Sequence, residues 1–335
     1  MPDRPAYAPL LLRPDAPAPP VLSLPHSGMR VPEFLACALR PGAEQRLPGC
    51  DAHLPELLPD DLPIAAVVNP YVRAAADVNR SPQPQPGGPR TNCLFPLDGT
   101  DGAPLYRRRL TPKNVELRLT RIHRPYHAAL EQMLSDRVRA HGYAVLLDLH
   151  SFPADAAPGI DAVLGDLCGH SAPQEWTARL EALLRAEGLR TARNAPFPGG
   201  YILRRHASER VYAVQLELSR AWYGAPGTPR FAAASAALRR VLTALLAALP
   251  EMRRQKGDNP SVSPTGCQLP PSHRPSSLSC AGVAHGLFYE KSILCSFLQN
   301  AHASGSLRSP CGYRGAKGTL RRGRGNNGKR ERCRK

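Results

Sequence analysis

The stretch YAVLLDLHSFP, from Tyr143 to Pro153, has the pattern of a buried β-strand that ends in a histidine and a serine. A second stretch, VLSLPHSGMRVP from Val21 to Pro32, repeats this order: an apolar run, a break at Pro25, and then His26 beside a serine. In open α/β sheets, ligands bind outside the carboxyl ends of the strands. Two strands that each end in a His-Ser pair therefore predict a functional site at that end of the sheet.

The chain around these two runs alternates between helix and strand patterns. Residues 111–142 form the clearest helix pattern: Thr111 can cap its first turn, Pro112 suits the first helical position and Gly142 ends it. Alternating apolar and polar residues predict a strand at 211–220. Helix patterns also cover residues 171–189 and 228–249. This order predicts an α/β fold, in which a mainly parallel mixed sheet has helices on both faces.

The composition divides the chain into three parts. Residues 1–20 form a Pro-rich lead-in, and residues 21–250 carry the strand and helix patterns of a catalytic domain. The periodic apolar pattern stops after Met252, and low-complexity sequence follows. Residues 251–335 are therefore predicted to form a disordered basic tail. The abrupt change in composition also fits a reading-frame artefact, and the sequence leaves both interpretations of the tail open.

The net charge of +17 comes mostly from this tail, which holds 16 Lys and Arg against 4 Asp and Glu. Residues 1–250 hold 28 against 23, so nucleic-acid binding is predicted only as non-specific phosphate contact through the tail. No run of about 18 apolar residues predicts a transmembrane helix, and the lead-in lacks the apolar core of a secretory signal. We therefore expect a cytoplasmic protein that does not bind membranes.

Three residues that could carry chemistry lie at or near predicted strand ends: His26, His150 and Glu217. Histidine nitrogens and carboxylates are zinc ligands, and a catalytic zinc keeps one position open for water. A further carboxylate beside that water can take its proton. The alternative is that each histidine only forms hydrogen bonds in a loop, and the residues by themselves leave both readings open.

Nine short motifs, taken together and in order, closely resemble the N-formylglutamate amidohydrolase family over residues 20–250. That family is similar to zinc carboxypeptidases and aspartoacylases, so the resemblance implies a zinc carboxypeptidase-like (phosphorylase/hydrolase-like) fold. Each motif is weak alone, and none lies in the tail. The nine motifs are LPHSGMRVP, DAHLPELL, AADVNRSP, GAPLYRR, RIHRPYHAAL, LDLHSF, DAVLGDLCG, FPGGYILRRHA and VYAVQLELSR.

The resemblance implies a role for each matching residue. His26 and His150 would be ligands of one zinc ion in the catalytic domain, and Glu217 would be the general base. The pair Asn79–Arg80 would hold a substrate carboxylate, since Arg offers a bidentate fork. Two further residues of the FPGGYILRRHA motif, Arg204 and His206, would line the substrate pocket, as could Asp161 and Asp166.

The third metal ligand is the point at which the chain departs from the related enzymes. The carboxypeptidase pattern has a glutamate three residues after its first histidine, and here that position holds Met29. Asp51 is the predicted replacement, because the family pattern has an acid there. His53 and Glu33 stay open as alternatives.

The activity that the resemblance implies is hydrolysis of N-formyl-L-glutamate to formate and L-glutamate, the last step of one route of histidine degradation. A hydrolase for another N-acyl amino acid or a small peptide is the first alternative, because fold-level analogy does not settle a substrate. A nucleic-acid-binding protein that uses its basic tail is the second. The sequence gives no indication of the oligomeric state.

Overall fold

The computed structural model describes residues 7–83 and 93–258. The predicted disordered tail lies outside the described residues from residue 259 onward. Residues 84–92 and the first six residues of the lead-in are also outside them.

Seven strands form one mixed sheet in the described part of the chain. Two pairings, β1 with β3 and β5 with β7, are antiparallel, and the other four are parallel. The order across the sheet is β1-β3-β2-β4-β7-β5-β6. The strands are β1 Leu10–Leu12, β2 Pro20–Leu24, β3 Ala65–Val68, β4 Ala144–Phe152, β5 Ala162–Gly165, β6 Thr191–Arg193 and β7 Val211–Ser219.

Helices cover both faces of this sheet, which confirms the predicted fold class. Two short 3-10 turns, Glu44–Arg46 and Ala154–Ala156, lie in the connecting loops. The α-helices are α1 Glu33–Ala36, α2 Leu54–Leu57, α3 Pro112–Arg118, α4 Arg124–His141, α5 Gln174–Ala186, α6 Tyr201–His206, α7 Arg220–Tyr223 and α8 Pro229–Asp258.

The central strands β4 and β7 are buried along their whole length, and their alternate residues face two separate cores. Leu147 and Val214 belong to the core that α5 and α8 cover. Leu146 and Ala213 belong to the other core, which contains residues of α3, α4 and α6. Because every second side chain of a strand points to the same face, the polar residues two and four positions after Leu146 and Ala213 also lie on the α4 side of the sheet. The candidate site therefore lies on that side.

The predicted helix at 111–142 is interrupted in the structure by one π-helical turn, Leu119–His123, between α3 and α4. Thr111 caps its start by accepting a hydrogen bond from the Asn114 N–H at 3.2 Å, and Gly142 ends it with a φ of 79°. Pro125 has no N–H to donate to the carbonyl of Arg121, which loosens the helix at this turn.

Strand β1 and helix α8 lie wholly or partly outside the predicted bounds of the catalytic domain, 21–250. The lead-in contributes β1, whose Leu10 and Leu12 pair antiparallel with Val68 and Ala66 of β3. Helix α8 continues past residue 250 to Asp258, because its apolar face is still buried at Leu249 and Met252. This helix is long and apolar enough to cross a membrane by length and composition alone, but its buried face packs in the core beneath the sheet.

The loop after β2 is held by a close backbone contact at Gly28. A Cβ added there would lie 2.1 Å from the Pro70 carbonyl carbon and 2.3 Å from the Tyr71 nitrogen. Both contacts are backbone atoms, so a Cβ at residue 28 could be accommodated only if the loop that follows β3 moved away. The glycine therefore fixes the position of His26, two residues earlier.

We expect Gly28→Ala to lower the free energy of unfolding by about 1–3 kcal/mol, the usual effect of overpacking. Urea denaturation followed by circular dichroism measures this change. Gly49→Ala is the matched control, because a Cβ at Gly49 meets nothing within 4 Å, and it should stay within about 0.5 kcal/mol of the parent. Equal stability of the two variants would contradict the contact.

Candidate metal centre and active site

Polar side chains replace apolar ones near the carboxyl ends of the three central strands on the α4 face. Ser23 of β2 pairs in register with Asp148 of β4, which pairs with Gln215 of β7. Two residues further on, His150 of β4 pairs with Glu217 of β7. All five are buried. The parallel register therefore builds two polar rows across the sheet, and the second row contains two of the predicted site residues.

His26, Asp51 and His150 form a buried group that could bind a metal ion, with one ligand atom from each lying within 4.8 Å of the others. The Oδ2 atom of Asp51 is 3.7 Å from Nδ1 of His26 and 3.2 Å from Nδ1 of His150. Each of the three residues is only 3% exposed. The backbone N–H of Asp51 donates to the carbonyl of His26 at 2.9 Å, so the two loops meet directly at the site.

The second carboxylate oxygen of Asp51 is held by other groups. Ser151 Oγ donates to Oδ1 at 3.1 Å, and Arg220 Nη2 lies 3.5 Å from the same atom. Oδ2 is thereby turned toward the two histidines. Burial opposes the ionisation of this carboxyl, but hydrogen bonds and the charges of His150 and His26 hold the pKa of Asp51 well below its ordinary value.

Each histidine of the group also contacts a carboxylate through its other ring nitrogen. Nε2 of His26 is 2.7 Å from Oδ1 of Asp77, and Nε2 of His150 is 2.9 Å from Oδ2 of Asp148. Metal-bound histidines commonly donate their second N–H to a carboxylate in this way, which fixes the ring and leaves the other nitrogen as the ligand atom. The two Nδ1 atoms are thus free to face Asp51.

These two supporting carboxylates are themselves anchored. Arg73 donates to Oδ2 of Asp77 from both Nε and Nη2, at 3.2 and 3.0 Å. Burial opposes the charge on Asp77, but His26 and Arg73 hold the pKa of its carboxyl well below the ordinary value. Ser23 Oγ donates to Oδ1 of Asp148 at 2.6 Å, and the hydroxyl of Tyr126 in α4 lies 2.8 Å from that Oγ.

Sequence reasoning missed Asp148 and assigned Asp77 no role at the metal. The signal for Asp148 was its position two residues before His150 in one strand, which puts both on the same face. For Asp77, its place in the Asp-x-Asn-Arg segment was the only signal. Its contact with His26 spans 51 residues and comes from the fold.

Glu217 is buried beside this group. Its Oε1 accepts a hydrogen bond from Nε2 of Gln215 at 3.0 Å. Burial is the main reason why the pKa of Glu217 is raised to about 7. The positive charge of His150 opposes this shift, and the negative charges of Asp51 and Asp148 add to it. A carboxyl with a pKa near 7 can both accept and release a proton at neutral pH.

Asn79, of the Asn79–Arg80 pair, lies directly against the histidine group. Nδ2 of Asn79 is 3.2 Å from Nε2 of His150, and Oδ1 accepts the backbone N–H of Ile202 at 2.9 Å. A Cβ on Gly200 would fall 2.2 Å from that Oδ1, so only glycine allows this approach. The carboxamide thus joins the start of α6 to the site, and its predicted contact with substrate stays a prediction.

Arg204 of α6 supplies a second guanidinium near Arg80. Burial lowers the pKa of Arg204, and the positive charge of Arg80 lowers it further. Nη1 of Arg204 is buried without a hydrogen-bond partner among the described residues. Two guanidiniums that repel each other, one with an unmet N–H, favour an anion between them.

The remaining predicted residues make other contacts. His206 is buried, with Nε2 2.9 Å from Nδ1 of His127. His53 faces Glu56 at 3.2 Å. Glu33 is exposed in the first turn of α1, so Asp51 is the one of the three candidate third ligands that joins the two histidines. Asp161 pairs with Arg190, and Asp166 accepts hydrogen bonds from Asn194 and Gly169.

A comparison with protein families bears directly on this geometry. The family model described as N-formylglutamate amidohydrolase matches residues 18–224, more than half of the chain. The chain belongs to this family. Membership supports an amide-cleaving hydrolase, which is the chemistry that a buried carboxylate beside a possible metal group can perform.

Solved structures with the same fold include a member of this family. The N-formylglutamate amidohydrolase of Ralstonia eutropha is 26% identical, with a TM-score of 0.63 over 74% of this chain and 99% of that one. A gene product of Agrobacterium tumefaciens shares the fold at 16% identity, with a TM-score of 0.59 over 73% of this chain and 97% of that one. No curated protein matches the chain.

We expect His26→Ala, Asp51→Ala and His150→Ala each to lose most of the divalent metal that the parent protein retains after purification. Each removes a ligand atom from a group of three, and the survivors cannot hold the ion tightly. Elemental analysis of folded protein measures this loss. His53→Ala is the control and should keep the parent's metal content. Full occupancy in Asp51→Ala together with loss in His53→Ala would move the third ligand to His53.

Proposed function

We propose that the chain is a zinc-dependent amidohydrolase that cleaves N-formyl-L-glutamate to formate and L-glutamate. The observation that supports this most is one juxtaposition: the His26–Asp51–His150 group lies beside the buried carboxyl of Glu217. We place this reaction in the cytoplasm, as a step of histidine degradation. The predicted nucleic-acid contact through the tail lies outside the described residues.

Zinc fits the donor set better than magnesium or calcium, which prefer oxygen ligands. Ligand atoms about 2.0–2.2 Å from a tetrahedral zinc are roughly 3.3–3.6 Å apart. The two Nδ1–Oδ2 separations, 3.7 Å for His26 and 3.2 Å for His150, are close to that range. Three protein ligands leave a fourth position open, as in catalytic zinc sites.

A bound zinc ion would act as a Lewis acid that acidifies a water molecule and polarises the formyl oxygen. Glu217 then accepts a proton from the attacking water and delivers it to the amide nitrogen. The water oxygen bonds to the formyl carbon, the C–N bond breaks, and L-glutamate leaves as the free amine. The hydrogen bond from Gln215 keeps the Glu217 carboxylate in one orientation during this exchange.

The guanidiniums of Arg80 and Arg204 are the reason to propose a substrate with two carboxylates. N-formylglutamate carries two carboxylates, and Arg80 and Arg204 offer two guanidiniums near each other. A substrate carboxylate would accept the unmet N–H of Arg204 and relieve the repulsion between the two cations. These two arginines would bind the carboxylates of the substrate and would not distinguish a formyl group from another acyl group. A hydrolase for a different N-acyl acidic amino acid is therefore the second candidate.

The decisive test is hydrolysis by the purified, zinc-loaded full chain of a panel of N-acyl amino acids. The panel contains N-formyl and N-acetyl derivatives of glutamate, glutamine and alanine, with the released acid and amine both quantified. Preference for N-formylglutamate supports the proposal. Faster hydrolysis of N-acetylglutamate would favour the second candidate. Faster hydrolysis of a glutamine or alanine derivative, or no turnover of any compound, would overturn both.

Glu217→Gln should keep its zinc and its fold but lose turnover. The amide has nearly the same shape as the carboxylate and cannot accept a proton from water. We expect kcat to fall about a hundredfold to ten-thousandfold, the usual contribution of general-base catalysis, with little change in KM. Zinc content, Tm and kcat are measured on one preparation. A stable, zinc-loaded variant that works at nearly the parent rate would refute the role of Glu217.

Arg80→Ala and Arg204→Ala should each raise KM for N-formylglutamate. A lost charge-assisted contact is worth about 1.5–3 kcal/mol, which corresponds to roughly a tenfold to hundredfold change. Arg205→Ala is the matched control, because this exposed neighbour lies 3.6 Å from Glu131 and should leave KM unchanged. An unaltered kcat/KM in Arg80→Ala would remove that residue from the substrate site.

A further inference from the structure

A second group of histidines lies behind the loop that carries Asn79 and Arg80. His123 ends the π-helical turn, His127 follows in the first turns of α4, and His206 ends α6. All three are buried. The rings of His127 and His206 stack at 5.2 Å, and the ring of Tyr201 lies 5.9 Å from His123 and 5.3 Å from His127. The proposed catalytic steps use none of these histidines.

This group contacts the backbone on both sides of Asn79. Nε2 of His127 lies 2.9 Å from the carbonyl oxygen of Val78, and Nε2 of His123 lies 2.9 Å from the carbonyl oxygen of Arg80. A carbonyl oxygen can only accept, so both histidines carry their proton on Nε2. Nδ1 of a neutral His127 is then an acceptor, and His206 donates to it from Nε2.

The charge state of the group agrees with this arrangement. Burial lowers the pKa of His123 to about 4 and that of His127 well below its ordinary value, and the positive charge of nearby Arg205 adds to both shifts. The imidazoles are therefore neutral at physiological pH. They donate hydrogen bonds to the loop without adding a positive charge beside Arg80.

The side chain of Asn79 attaches the same loop to α6, through its bond to the Ile202 N–H. Three consecutive residues, from Val78 to Arg80, are thus held at three points by α4, the π-helical turn and α6. The backbone that carries the Arg80 guanidinium is therefore already ordered before substrate binds. Less conformational entropy is lost when the guanidinium binds a carboxylate.

We propose that His123 and His127 are positioning residues that hold the Val78–Arg80 loop and thereby set the affinity for the substrate carboxylate. This inference rests on the proposed function, because it takes Arg80 to bind substrate. A purely structural role predicts something different: lower stability and less active protein, with the KM of the folded fraction unchanged.

The experiment compares His123→Leu with His123→Gln, and His127→Leu with His127→Gln, in the full zinc-loaded chain. Leucine removes the donor, and we expect it to raise KM for N-formylglutamate about tenfold, with kcat within about twofold and unchanged zinc content. Glutamine carries an N–H near the place of Nε2 and should recover most of the affinity. His141→Leu is the control: this histidine of α4 faces the carbonyl of Pro17 at 2.7 Å and should leave KM unchanged.

Two results would overturn the proposal. One is a leucine variant with unchanged KM, whatever its Tm. The other is a leucine variant whose raised KM glutamine does not reduce, since the lost donor would then not be the cause.

A separate measurement does not depend on turnover. Nitrogen-15 NMR of the histidine side chains should show His123 and His127 as neutral Nε2–H tautomers from pH 6 to 8, and Nδ1–H tautomers would refute the contacts. If the wild-type chain hydrolyses none of the panel, the proposed function fails. Calorimetric titration with L-glutamate then compares the same variants: weaker binding in the leucine variants alone supports the positioning role, and equal or absent binding refutes it.

Discussion

The parallel pairing of β4 with β7 brings His150 of the candidate metal group and Glu217, the proposed general base, to adjacent positions on one face of the sheet. His150 and Glu217 are partners in that register, and a shift of β7 by one residue would turn Glu217 away from His150 into the opposite core. The loops after β2 and β3 then add His26, Asp51 and Asp77 around this fixed pair. The rigid part of the site is therefore a property of the sheet, and the loops complete it.

Charge balance is the second constraint, because Asp51, Asp77, Asp148 and Glu217 are buried close together. Arg73 and Arg220 offset part of this negative charge. The same field acts on His150: burial opposes its charge, but Asp148 and Glu217 raise its pKa well above the ordinary value. A divalent cation would replace that proton, so metal affinity should weaken as the pH falls.

The sequence predicted those features whose signal is local. Periodicity identified β2, β4, β7 and α8, and the family motifs led to His26, Asp51, His150 and Glu217. The supporting contacts could not be predicted, because they join distant segments: His127 meets His206 across 79 residues, and Ser23 meets Asp148 across 125. The short strands β1 and β6 were not predicted either, because a segment of three residues is too short to show an alternating apolar and polar pattern.

The strand order has a consequence for the nascent chain. Among the strands in the described part of the chain, β7 is synthesised last, yet it lies between β4 and β5 in the finished sheet. The whole segment between β4 and β7 must leave the ribosome before β4 gains its partner, which takes several seconds at roughly 5–20 residues per second. Until then β4 presents an apolar, unpaired edge, the kind of surface that chaperones protect. Insertion of β7 pairs this edge and brings Glu217, the proposed general base, beside His150 in the same step that removes this hazard.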